Sequence, residues 1–191
     1  MGARWLLLLL GLAHALPLGA GDLVLPDLMR MLGRVESAQA RFTETKHLAV
    51  LDSPLVLKGT LAYVRPDRLE KHVLSPYDER TVVAGNMVVI EDRTHKRTTT
   101  LSLASAPAVL SLVESLRATL SGDLAALERH YILELQGERE SWTLTLTPRT
   151  ASVAAWVARV RLAGKARRLI RVEVEEAGGD RSVMLISESG P

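Results

Sequence analysis

The chain has no cysteine, which excludes disulfides, zinc-thiolate centres and thiol nucleophiles. It also excludes the lipidated cysteine that a bacterial lipoprotein carries just behind its leader. Aromatic residues are scarce, one Phe, three Tyr and three Trp, so stacking platforms for bases or sugars are not expected. Neither sign of charge dominates: 24 basic residues, one of them Arg4, stand against 22 acidic ones. Nucleic acid is therefore excluded as the main partner, because domains that bind it usually carry a basic excess. No apolar run approaches the ~20 residues that a membrane-spanning helix needs.

What the chain does have begins with "MGARWLLLLLGLAHALPLGAGD". Arg4, a short apolar run from Trp5 to Leu12 and small residues behind it form a secretory signal, residues 1–20. Cleavage is expected after Ala15, in Ala13-His14-Ala15, or after Ala20. Residues 21–191 are long enough to bury the core of one domain, and one domain is expected.

Past the leader, Leu28, Met31, Leu32, Val35 and Ala38 recur at helical spacing behind Pro26, predicting an amphipathic helix over about 25–39. From Phe42 to Leu103 the period changes to two, in six short runs separated by Pro, Gly, Asn and charged turns. "SAPAVLSLVESLRATLSGDLAALERHY" then breaks the alternation. Ser105 is placed to cap a helix with Pro107 just inside, and Val109, Leu112, Val113, Leu116 and Leu120 share one face. Gly122-Asp123 ends that helix and starts a shorter one. Alternation returns to the end of the chain: Tyr131, Leu133 and Leu135; Trp142, Leu144 and Leu146; Val160 and Leu162; Ile170, Val172 and Val174; then "SVMLIS". About eleven antiparallel strands with one apolar face make a strongly curved, unclosed sheet, mostly β with some α, and only the helices are available to cover its concave side.

Motifs for catalysis are missing: there is no G-x-S-x-G elbow, G-x-G-x-x-G loop, P-loop or H-E-x-x-H helix. His47, His72, His95 and His130 are scattered, with no metal-ligand spacing among them. "ETKH" and "YDER" put carboxylates beside bases, and both read as the solvated side of strands. "EDRTHKR" reads as a hairpin tip in water. Met29, Met31 and Met184 read as core, with flexible thioethers suited to a pocket of variable apolar shape. A non-enzyme without cofactor or metal is expected.

One strand carries an oddity. Counting by twos, Leu55, Leu57, Gly59, Leu61 and Tyr63 end on Arg65, a permanent charge on the apolar side. A charge there must either snorkel to solvent or pair with a group on a covering helix.

In its order of elements the chain resembles the periplasmic outer-membrane lipoprotein carriers (LolA-like), of which it looks a divergent member. "RFTET" after the first helix, "G-x-L-x-Y-x-R-P" at 59–66, "VVAGNMVVIED" at 82–92 and "GDLAALERHYILEL…WTLTLTPR" at 122–149 carry the likeness. The resemblance implies an unclosed β-barrel with helices as a lid. It implies an acylated lipoprotein as cargo, an inner-membrane release complex as donor and an outer-membrane acceptor, in a monomeric periplasmic protein. It also matches Arg65 to the family arginine that bonds to the lid. With the parity of the strands it places cavity and lid at Leu57, Leu61, Tyr63, Leu69, Val88, Ile90, Leu112, Leu116, Leu144 and Leu146. Leu69 and Lys71 stand where the family often carries aromatic rings, which points to a different cargo or a different hand-off partner. An accessory role in making or exporting an envelope lipid, or hydrolysis of such a lipid, are the alternative readings.

Overall fold

A computed structural model describes residues 23–188 except Ala106, without the side chains of residues 107–109. The expected signal peptide, and Val109 on its helix face, lie outside what is described. Helix α1 (Leu25–Leu32) leads into a meander of six strands. These are β1 (Ser37–His47), β2 (Leu55–Val64), β3 (Arg68–Ser75), β4 (Glu79–Ala84), β5 (Met87–Asp92) and β6 (Arg97–Ser102). Helices α2 (Pro107–Ser121) and α3 (Leu124–His130) follow. The chain continues with β7 (Tyr131–Glu138), β8 (Ser141–Pro148), a single turn α4 (Ala151–Ala154), β9 (Val157–Lys165), β10 (Arg168–Glu176) and β11 (Arg181–Glu188).

All eleven strands form one sheet in the order β6-β5-β4-β3-β2-β1-β11-β10-β9-β8-β7, and every pairing is antiparallel. The expected unclosed antiparallel architecture is the observed one. Its topology also explains the helical insertion. β6 and β7 are the two free edges, so the segment between them has to cross the concave face from one edge to the other. The "EDRTHKR" stretch is the exposed β5–β6 hairpin.

Two sequence expectations need correction. The predicted first helix ends at Leu32, because Gly33 closes it and "SAQARFTETKH" is already β1. The helical spacing of Val35 and Ala38 coincides with the start of an alternating strand, and pairing with β2 from Ser37 onward decides it. Ile170 is exposed rather than inward, because the ladder between β9 and β10 slips between Leu169 and Arg171. That bulge turns Leu169 inward in its place. Short α4 had no helical signal beyond Thr150 ahead of three small residues.

The interior divides into three apolar clusters. The largest gathers Leu28, Met29, Met31 and Leu32 of α1, Ala118 of α2 and Leu127 of α3 against Trp142, Leu144, Leu146, Val160 and Leu162. A second packs Val113 and Leu110 of α2 on Val83, Val88, Leu101 and Leu69. The third, Phe42, Leu57 and Val73 with Leu55, Leu61, Tyr77 and Met184, contains only strand and loop residues among those described. On the convex face Glu173 is roofed by arginines, accepting from Arg161 at 2.9 Å, Arg171 at 3.0 Å and Arg181 at 2.6 Å.

Candidate functional site

The third cluster lies at the middle of the concave face, between the parts that the helices occupy. Leu57 faces Glu44 across the β1–β2 ladder, and Glu44 faces Met184 across β1–β11, so all three point to the same side. Gly59 is required here: a β-carbon on it would come within 1.8 Å of the His72 carbonyl oxygen and 2.9 Å of the Phe42 ring. The β2–β3 ladder slips at this point, so the backbone of β3 lies close over Gly59.

The floor of this cluster is charged. Glu44, 4% exposed, bonds to the Lys71 ammonium and accepts from the Ser182 hydroxyl at 2.5 Å, with the Lys46 ammonium at 3.9 Å. Lys71 lies 5.1 Å from the centre of the Phe42 ring. "ETKH" therefore does not put its carboxylate on the solvated side, as the sequence led us to expect. Strand parity sends Glu44 inward with Phe42, and β3 supplies the cation from the facing position of Leu61.

Burial pushes the Glu44 carboxyl up, but Lys71, Ser182 and Lys46 together outweigh it and hold the group below its ordinary range. Lys71 is lowered as well, because burial takes more from its ammonium than Glu44 restores. The Glu44 side sets the pH response, since it is the more enclosed partner and has three donors around it. A carboxyl with a depressed folded value gives stability that is complete above about pH 4.5 and is lost as pH falls through the folded value. Glu44→Gln is expected to lower unfolding free energy at neutral pH by about 1–3 kcal/mol, less than a fully enclosed pair because Lys71 reaches solvent. The same variant flattens the loss of stability below about pH 4.5, read by urea unfolding across pH.

At the rim, Arg65 is half-buried, its side chain donating to the Gly33 carbonyl oxygen at the end of α1. Its own backbone N–H donates to Glu36. The helix that supplies the acceptor is α1. The α2 connection comes from a residue that sequence reading passed over. Arg117 is 8% exposed; its Nε donates to the Asp67 carbonyl and its Nη1 to the Gly85 carbonyl, both at 2.8 Å, and Nη1 also meets Glu114 at 3.2 Å. Asp67 and Gly85 lie in the β2–β3 and β4–β5 turns, so one guanidinium ties α2 to two neighbouring hairpins. The one available signal was a basic residue beside the apolar face of "VESLRATL", which also fits a solvated helix. On the opposite flank the Tyr131 hydroxyl donates to the Ser111 carbonyl at 3.0 Å.

The expected cavity set is thus spread over three places. Leu57 and Leu61 are in the third cluster, and Tyr63, 4% exposed, adjoins it with a buried hydroxyl that has no partner among the described residues. Leu69, Val88 and Ile90 lie beneath α2 in the second cluster. Leu144 and Leu146 are fully enclosed in the first, which Leu112 and Leu116 flank. Met29 and Met31 are core, and Met184 touches both the first and third clusters. Among the described residues no His, Asp and Glu group is arranged to hold a metal. His72 bonds Asp78 at 2.8 Å and exposed His95 bonds Asp92 at 2.9 Å.

Residues 20–190 match the family described as outer membrane lipoprotein carrier protein LolA-like. The chain belongs to that family. No curated protein matches it. Among solved structures, the LolA-like chain is similar to a LolA superfamily protein from Nitrosomonas europaea at 12% identity and a TM-score of 0.44, covering 88% of this chain and 95% of that one. It is also similar to the MucA/MucB complex structure of Pseudomonas aeruginosa, at 13% identity and a TM-score of 0.48, covering 87% of this chain and 58% of that one. A third likeness is to a domain from Vibrio parahaemolyticus described as an outer membrane lipoprotein-sorting protein, at 9% identity and a TM-score of 0.42, covering 86% and 89%.

Proposed function

We propose that this LolA-like protein is a non-catalytic periplasmic carrier. It holds the acyl chains of lipoproteins, or of a related envelope lipid, on its concave face and passes them from inner to outer membrane. The observation that carries this reading is the third cluster: an apolar strip on the concave sheet with no helical residue in it among those described, flanked by helices tied down through Arg65 and Arg117. An acyl chain in water loses about 0.8 kcal/mol per exposed methylene, so such a strip is a favourable host without specific polar contacts. Widening the strip for a second chain means lifting α2 from Leu69, Val83 and Val88. Lid and cargo then compete for one surface, net affinity is the difference of two similar burials, and release needs no fuel.

The Arg65 bond holds the closed arrangement and so favours release. Removing one charge-assisted bond shifts such an equilibrium by about tenfold or more. Arg65→Leu is expected to take up lipid as well as the parent and to deliver it to acceptor vesicles about tenfold more slowly. Equal transfer rates would reduce Arg65 to a strand-end residue. Protein purified from periplasm without detergent should also yield lipid on solvent extraction, and an empty extract would count against a carrier.

A further inference from the structure

The charged floor of the third cluster narrows the cargo further, on the premise that the concave strip is the acyl site. Ions on an apolar sheet face are costly, and a face for hydrocarbon alone would do better with leucines at these positions. The bonding capacity left over is unequal. Both Glu44 oxygens are engaged, one by Lys71 and the other by Ser182 and Lys46. An ammonium has three donors, and Lys71 has one carboxylate acceptor and one aromatic face, Phe42, around it. Its side chain keeps 29% of its exposure, so Lys71 is not closed off from solvent as Glu44 is. Leu61, directly opposite on β2, and Leu57, Val73 and Tyr77 supply apolar surface around it. Glu79, the other acid near this floor, acts on Lys71 only through its field.

We infer that Lys71, held by Glu44 and aided by Lys46, is the subsite for an anionic head, a carboxylate or a phosphate, borne by the acyl chain lying on the Leu57–Leu61 strip. Glu44 orients the ammonium and makes its charge tolerable; the head completes the shell of donors that Glu44 leaves open. The preferred cargo is then an acidic acyl lipid rather than a neutral one.

The test is fluorescence titration of delipidated full-length mature protein with cis-parinaric acid and with its methyl ester. Oleic acid and a lysophosphatidic acid serve as displacing ligands, and all lipids stay below their aggregation limits. The acid should bind about tenfold more tightly than the ester at neutral pH, as one charge-assisted bond provides. Glu44→Gln/Lys71→Met, which removes both charges together and so leaves no stranded ion, should bind both probes with the affinity the parent shows for the ester. The stronger displacer of the two identifies carboxylate or phosphate as the head. Equal binding of acid and ester by the parent overturns this inference and leaves the carrier reading standing. A preference that survives in the double variant overturns the assignment to Lys71. Failure of both probes to bind overturns the carrier reading and this inference with it.

Discussion

Arg117→Leu will release α2 from the sheet. Its guanidinium bonds the turns of two hairpins at once, and both bonds run from a cation to a backbone carbonyl. Each such bond contributes about 1.5 kcal/mol or more, so losing two shifts the docking of α2 by about a hundredfold. Amides of residues 110–121 are therefore expected to exchange with deuterium about a hundred times faster, while those of β8 and β9 keep parent rates. The strand interior beneath α2, around Val83 and Val88, becomes accessible to an environment-sensitive apolar dye. Arg117→Lys should fall between the two, because an ammonium keeps the charge but cannot reach both carbonyls with a planar fork. Parent-like exchange in Arg117→Leu would show that apolar packing of Leu110 and Val113 alone holds the helix down. The effect should exceed that of Arg65→Leu, which loses a single bond at the end of α1.

The same contrast shows which parts of this protein are legible in its sequence. Strand after strand was readable because one face meets water and the other meets a core, so "WTLTLT" had to place Trp142, Leu144 and Leu146 on one side. The order of elements followed from those alternations and the helical break at 105–130, while the likeness to the family rested on the short motifs set in that order. Periodicity failed where two periods coincide, as at Val35 and Ala38, and where a bulge resets parity, as at Ile170. Roles that depend on partners far along the chain were less legible. Arg65 stood out because its parity was wrong, yet its acceptor at Gly33 could not be read from either stretch alone. Arg117 looked like any helix cation, because nothing local reveals that two carbonyls, 50 and 32 residues away, converge on it. Glu44 was misplaced on the wet side for a related reason. A charge on an alternating strand is read as outward unless its counter-ion is known, and Lys71 is 27 residues on.

Gly122→Ala will loosen the lid at the C-terminal end of α2, and at a larger cost in stability than an ordinary glycine replacement. Gly122 has φ of +74°, and a β-carbon there would come within 2.3 Å of the Met29 carbonyl oxygen and 3.0 Å of the Gly33 α-carbon. These are backbone atoms of α1 and its cap, so no side chain can rotate away and α1 itself has to move. Gly85 provides the comparison, with φ of +54° and nothing within 4 Å of its would-be β-carbon. Gly85→Ala therefore reports backbone strain alone, about 1 kcal/mol. Gly122→Ala adds the displacement of a helix whose Leu28, Met29 and Leu32 are buried in the main core, for a total of about 3 kcal/mol. In a chain of this size that lowers the melting temperature by about 6–12 °C, against about 2–4 °C for Gly85→Ala. Because α1 carries the Gly33 carbonyl that Arg65 holds, the displacement breaks that bond as well. Adding Arg65→Leu to Gly122→Ala should then slow lipid delivery no further, whereas added to Gly85→Ala it should slow delivery by the full tenfold or so. Additive slowing in the Gly122 pair would separate the packing of α1 from the Arg65 contact and assign them to different steps of transfer.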